Sequence, residues 1–312
     1  GLDEWSGILQ LDQRVTGKER SGGKVDSADV QHIHLHLADD LFGKWNFYGR
    51  VFTYDGNNVH DFWAPSVIEL DGTYYMYCSF EYFDDEPDKG GHHQAMFVSS
   101  SKNPLGPFEN AKQLLHPFSI DSHVVKNESG WFIFYSTNTF EGERPGTYIV
   151  CDRLLTPEKA EGKPVTMLTP TLDEDIYMRD RYKKGENWHT IEGAFYFKEG
   201  DWQYLMYSGN CYLQPTYYIG YARAKTDETD LTKIKFEKYP DENTYHPVMK
   251  ANEFEEGTGH HSMIKYKGQW YAIYHARDIE DDGLAGDRRN ARICKLNVND
   301  GIITAETYKD HI

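Results

Sequence analysis

The chain has 312 residues, 39% of them hydrophobic and 15% aromatic, which supplies a sizeable core and excludes a disordered or fibrous protein. Its 50 acidic residues outnumber 33 basic ones, and a formal charge of -17 repels phosphate backbones and anionic lipid, so neither nucleic acid nor a membrane is expected as a partner. No run approaches the roughly 18 consecutive apolar residues of a spanning helix, and residues 1–10 lack the basic start and apolar centre of a signal peptide, so a soluble chain, secreted or cytoplasmic, is expected.

In chain order, residues 1–29 carry no clear strand pair, whereas VQHIHLHLADDLFGKWNFYGRVF (30–52) reads as two strands. Four longer segments then share one template: DFWAPSVIELDGTYYMYCSF (61–80), SIDSHVVKNESGWFIFYST (119–137), TIEGAFYFKEGDWQYLMYSGN (190–210) and GHHSMIKYKGQWYAIYHAR (259–277). Each runs through an apolar strand, turns at Gly72, Gly130, Gly200 or Gly268, and returns through a strand rich in Tyr, Trp and Phe, which is a β-hairpin. A third alternating strand follows each hairpin (HHQAMFVSSS, GTYIVCDR, TYYIGYARA, RNARICKLNV), and then a more polar fourth segment such as FENAKQLL or KIKFEKY. Four strands per repeat is the blade of a β-propeller. The expectation is an all-β, five-bladed propeller in one domain, with a partial blade one over about 1–55 and blades two to five over 61–115, 119–170, 190–240 and 258–305. The cysteines Cys78, Cys151, Cys211 and Cys294 lie far apart without CxxC spacing and read as buried free thiols.

The first strand of each blade is innermost, so equivalent residues at these strand starts ring one end of a central channel. Matching the apolar pairs Val67-Ile68, Val124-Val125, Phe195-Tyr196 and Met263-Ile264 puts Ala64, Asp121, Glu192 and His260 at one shared position. Two carboxylates facing one pocket suit glycosidic bond cleavage, one protonated to donate to the leaving oxygen and one ionised. The adjacent pairs His92-His93 and His260-His261 do not suggest zinc, because neighbours on a strand point to opposite faces.

The segments WAPSVIELDGTYYMY, IDSHVVKNESGWFIFYS, IEGAFYFKEGDWQYLMYS and GTGHHSMIKYKGQWYAIYHAR resemble blades two to five of glycoside hydrolase family 43, over roughly residues 30 to 305. The resemblance implies inverting hydrolysis of arabinose- or xylose-containing oligo- and polysaccharides, of the α-L-arabinofuranosidase or β-xylosidase type, without a required cofactor. By the same resemblance Glu192 matches the general acid, and Asp121 matches the aspartate that orients that acid and favours its protonated form. Trp63 resembles the aromatic wall of the sugar subsite, His260 the axial histidine that in relatives often lies near a calcium or water cluster, and Arg277 a substrate-side arginine. The plain alternatives are blade packing for Trp63, a hydrogen-bonded core histidine for His260 and a structural ion pair for Arg277.

The family's general base, an aspartate opening blade one and usually followed by proline, has no counterpart motif here. Asp12 in QLDQRVT mimics the SIDSHVV pattern of Asp121 and is the candidate base, with Asp61 as the fallback. Two alternatives follow: a non-hydrolytic carbohydrate-binding propeller that lacks the base, and a retaining fructan hydrolase. The second would want an NDPNG-like motif, an RDP and a Glu-Cys pair, where this chain has MRDR at 178–181 and Glu192-Gly193.

Overall fold

Two-residue turns set the hairpins. Asp71 and Gly72 both take positive φ (51° and 75°) between the paired residues Leu70 and Thr73, which is the type I′ turn whose twist matches that of the flanking strands. At Gly200-Asp201, between the paired Glu199 and Trp202, the positive φ falls on the glycine in first place, as in a type II′ turn. The computed structural model describes residues 8–14, 32–54, 59–82, 93–279 and 289–309.

Strands β1 (Ile8–Arg14), β2 (His32–Ala38) and β3 (Asn46–Thr53) form a three-stranded sheet, so the expected partial blade has three strands. A four-stranded meander follows: β4 (Val59–Leu70), β5 (Thr73–Tyr82), β6 (Gln94–Ser101) and β7 (Glu109–Gln113). Next come β8 (Ile120–Asn127), β9 (Gly130–Thr139), β10 (Gly146–Thr156), β11 (Lys159–Ala160) and β12 (Val165–Leu168), with β11 and β12 both on β10. Strands β13 (Ile176–Met178), β14 (Trp188–Glu199), β15 (Trp202–Gly209), β16 (Tyr218–Lys225) and β17 (Glu237–Lys238) make the next set. A short parallel pairing of Gly146 with His189 and Thr147 with Thr190 joins these two sets into one sheet. The last meander is β18 (Glu255–Tyr266), β19 (Gln269–Asp278), β20 (Asn290–Asn299) and β21 (Ile302–Thr307). Among the described residues the only helical pieces are two 3₁₀ turns, and no helix is long and apolar enough to cross a membrane.

The chain divides into two compact units: residues 1–122 with 155–160, and residues 123–154 with 161–312. In the first, Ile33, Phe52, Phe62, Met76 and Phe80 pack the first sheet against the second. In the second, Phe134, Ile149, Ile191 and Leu205 fill one seam, and Met206, Ile219, Ala272 and Cys294 fill the next. All four cysteines are buried and free, as expected, and burial pushes the Cys78 and Cys151 thiols up, away from reactivity.

The segment leading into β14 is anchored by a buried charge. Asp175, fully buried, accepts from the backbone N–H groups of Thr171 (2.9 Å) and Leu172 (3.0 Å) and from the Tyr218 hydroxyl (2.5 Å). The ammonium of Lys238, 3% exposed, lies 3.8 Å from it and donates to Thr171 Oγ1 at 2.9 Å. Burial pulls the Lys238 pKa down and Asp175 opposes that pull, so each ion depends on the other. Asp175→Ala strands a buried ammonium, and urea unfolding should show a loss of roughly 3–5 kcal/mol; a loss within experimental error would show that the pair contributes nothing.

Candidate active site

One backbone device recurs at the strand starts. In β4 the pairs Trp63–Ser79 and Ser66–Tyr77 leave two residues opposite one, and the same extra residue follows Glu192–Ser208 in β14 and Gly259–His275 in β18. The first residue of each bulge has left-handed φ: Ala64 at 46°, Gly193 at 62° and His260 at 47°. Asp121, at 59°, has the same backbone sign at the start of β8. Glycine adopts this region freely, whereas the non-glycine residues are held there at a cost of about 1–3 kcal/mol each.

This corrects the expected shared position by one residue in one strand. The equivalent set is Ala64, Asp121, Gly193 and His260, and Glu192 stands one residue earlier, level with Trp63 and Gly259. The cause is turn type. Gly72 and Gly268 are second in their two-residue turns, after Asp71 and Lys267, whereas Gly200 is first, so matching the apolar pair at Phe195-Tyr196 starts one residue early, and Tyr196 is the true counterpart of Val67 and Met263.

In the first unit, Asp121 is 5% exposed within a tethered stretch: Ser119 Oγ accepts from the Met96 N–H at 2.9 Å, and Ser122 Oγ lies 2.8 Å from Ser66 Oγ. Trp63 is half-buried, and its carbonyl accepts from the Cys78 thiol at 3.2 Å. Asp12 is the fifth of seven residues in β1, opposite His34, so it does not open a strand as Asp121 does. The side chains of Asp12 and Asp61, and all of His92, lie outside the described residues.

In the second unit the structure brings Glu192 and His260 together. The His260 ring covers Gly193, with Cδ2 3.4 Å from where a Cβ would stand, and its backbone N–H donates to Ser208 Oγ at 2.8 Å, the residue paired with Glu192. Burial lowers the His260 pKa, the Glu192 charge opposes that shift and Arg289 adds to it. Glu192 is half-buried, and its Oε1 accepts from the Tyr217 hydroxyl at 2.7 Å.

Tyr217 is wholly buried and sits in a slot made for it. Its ring stacks on His275 at 5.6 Å and 10°, and a Cβ on Gly259 would stand 1.8 Å from its Cε1. His275 occupies the position that Ser79 and Ser208 hold in their hairpins, so one strand supplies a ring, the other supplies nothing, and Tyr217 fills the gap. Sequence reasoning passed over Tyr217 among 23 tyrosines. The available signal was that third strands run in the same direction as first strands, so a residue just ahead of β16 lies at the Glu192 end.

Arg277 is tied to its own unit by an ion pair and a backbone carbonyl. Its Nε faces Glu256 Oε1 at 3.4 Å, and Nη1 donates to the Tyr212 carbonyl at 2.8 Å, holding the loop that also presents Tyr212. The exposed Arg289 guanidinium lies 4.8 Å from the centre of the Tyr212 ring. Among the described residues no three His, Cys, Asp or Glu side chains gather as a metal site.

Comparison with known proteins gives the class, that of glycoside hydrolases. The sequence profile of glycosyl hydrolases family 43 matches residues 25–303, and the chain belongs to that family. Over 267 residues it is 22% identical to the extracellular exo-α-(1→5)-L-arabinofuranosidase ArbA of Cellvibrio japonicus, covering 81% of this chain and 72% of that protein. A crystal structure of a thermostable family-43 glycoside hydrolase is similar over 98% of this chain and 96% of that one, with 25% identity and a TM-score of 0.70. An α-L-arabinofuranosidase from Lactobacillus brevis, 18% identical, shares the fold over 88% of this chain and 85% of its own with a TM-score of 0.70.

Beneath the site lies a pair of neutral histidines. His123 is held by the Tyr196 carbonyl at 3.1 Å and packs 4.1 Å from the Phe195 ring, and burial lowers its pKa to about 4. His261, 3% exposed, has no hydrogen-bond partner on either ring nitrogen among the described residues, and burial lowers it to about 3. Once unfolded, each takes up a proton below about pH 6.5. The folded protein does not, so stability falls as pH drops from there towards 4. In His261→Leu the stability lost between pH 6.5 and 5 should shrink by about 2 kcal/mol, measured by urea unfolding at both values; an unchanged difference would place that acid sensitivity elsewhere.

Proposed function

We propose that the protein is an inverting hydrolase that releases arabinofuranosyl or xylosyl units from oligo- and polysaccharides, built as one five-bladed propeller. The observation that carries this reading is the hydrogen bond from the Tyr217 hydroxyl to Glu192 Oε1, which holds a half-buried carboxyl near the start of β14 with a neutral donor. Family membership supports the reaction type, and the arabinan-directed relative in Cellvibrio japonicus supports arabinose as the first sugar to test.

In this reading Glu192 is the general acid. It protonates the glycosidic oxygen as the bond to the anomeric carbon breaks, while a base directs water to the opposite face. Asp121 is the supporting carboxylate, a role resting on its SID motif and its left-handed strand start. Trp63 is assigned to stacking on sugar, and His260 to binding substrate beside Glu192. Arg277 is assigned to holding Tyr212 in place, not to touching sugar. Asp12 and Asp61 are the candidate bases, and the base is the carboxylate that stands about 6.5–9.5 Å from Glu192 in the inverting geometry.

The direct test follows hydrolysis of aryl α-L-arabinofuranosides and β-xylosides by NMR, which reads the configuration of the first-formed product; retention would rule out the inverting mechanism. Glu192→Gln should lower turnover by about 10²–10⁴-fold on poor leaving groups, and much less on an aryl group that barely needs a proton. Equal losses across leaving groups would remove Glu192 from the acid role.

Tyr217 is a positioning residue here, and its removal has a signature of its own. Tyr217→Phe keeps the ring in its slot but removes a donor that favours the ionised carboxylate. The basic limb of the pH–rate profile should therefore move to higher pH, by roughly one unit, with a modest fall in kcat. A lower kcat with the limb unmoved would mean that the hydroxyl only packs.

A further inference from the structure

An aromatic cluster stands beside the Glu192 pocket without a part in the chemistry. Phe140, which follows β9, is 62% exposed, and Tyr182, in the loop between β13 and β14, is 48% exposed. Both lean on the buried Trp188 at the head of β14: Phe140 at 5.2 Å, and Tyr182 at 5.8 Å with its ring nearly perpendicular. The guanidinium of Arg181 sits 5.0–5.4 Å from the rings of Trp188, Tyr182 and Tyr177. The loop is closed on itself, with Arg181 N–H donating to the Glu186 carbonyl (2.9 Å) and Glu186 N–H donating to that of Lys183 (3.0 Å), so the rings are presented on fixed backbone.

The cluster is connected to the acid. Trp188 and Glu192 lie on the same strand four residues apart, which at about 3.3 Å per residue is roughly 13 Å, the span of a short oligosaccharide rather than of one sugar. Tyr177, on the strand paired with β14, is within electrostatic reach of both Glu192 and Arg181. Two large rings exposed on a strongly acidic protein suit a neutral ligand with an apolar face and polar edges, and a sugar ring has both: its C–H face meets the negative face of an aromatic ring, and its hydroxyls meet guanidinium and carboxylate at the rim.

We propose that Phe140 and Tyr182, backed by Trp188 and Arg181, form a stacking platform for glycan residues beyond the sugar held at Glu192. This rests on the glycosidase reading and adds what sets preference for chain length. The platform explains why two large aromatic rings stand exposed on a fixed loop at the head of the strand that carries Glu192.

The experiment uses the full chain and compares two substrates, an aryl pentoside and the matching pentose oligosaccharide, in the parent and in Tyr182→Ala, Phe140→Ala and the double variant. The ratio of kcat/KM on the oligosaccharide to that on the aryl pentoside should fall about tenfold or more in the double variant, the loss expected for removing two stacking rings. A parallel titration of oligosaccharide into Glu192→Gln, with and without Tyr182→Ala, should show the same weakening by calorimetry. An unchanged ratio overturns the platform alone, as does an equal loss on both substrates accompanied by a lower melting temperature. A change of oligomeric state at constant ratio overturns it in favour of a protein contact. Failure of the parent to cleave either substrate overturns the pentosidase reading, and the platform with it.

Discussion

The left-handed residue at the start of the inner strands is the constraint from which the site follows. A strand without it would keep strict alternation, and a side chain at its head would point either into a seam between sheets or along the surface. The extra residue re-aims the chain there, as bulges commonly do beside functional pockets. Because Ala64, Asp121 and His260 hold this conformation without being glycine, the hydrogen bonds and packing around them must outweigh the local cost. Ser208 shows how: its hydroxyl, buried and opposite Glu192, accepts the His260 N–H, so the bulge of one strand is pinned by the neighbouring hairpin.

The same device presents its acids in two ways. In β8 the carboxylate is carried by the left-handed residue itself, Asp121, whereas in β14 that residue is Gly193 and the carboxylate stands one place earlier. Gly193 suits the positive φ there, and the His260 ring lies in ordinary contact distance of the position a Cβ would take, so an aromatic ring and an acid share one corner. Glu192 itself is half-buried, with a buried tyrosine hydroxyl on its Oε1.

Much of this was legible in the chain, and what was not has identifiable causes. The four hairpins, their third strands and the buried free thiols follow from period-two alternation and turn glycines, which are local signals that tertiary contacts reinforce. The offset at Glu192 was hidden because a glycine marks a turn without declaring whether it stands first, as Gly200 does, or second, as Gly72 does. Tyr217 was hidden for a different reason: its meaning depends on Gly259 and His275, which are far away in sequence and carry no periodic signal. The buried ions were equally silent. Arg292, fully buried between Glu255 at 3.1 Å and Asp278 at 2.6 Å, lies in a run that reads simply as alternating strand.

These buried ions and Glu192, the candidate acid, obey one rule with opposite outcomes. Asp175 and Glu255 are fully buried beside cations that compensate them, and they hold structure. Among its hydrogen bonds Glu192 has a neutral donor, Tyr217, and the positive groups nearby are softened: burial keeps His260 and His275 towards their neutral forms, and Arg289 stands out at the surface. A carboxylate locked to a guanidinium would stay ionised and useless as an acid, whereas one held by a hydroxyl beside neutral rings can carry a proton and give it up. The choice of a phenol in place of a cation at the Glu192 corner is therefore what sets this candidate acid apart from the structural carboxylates a few strands away.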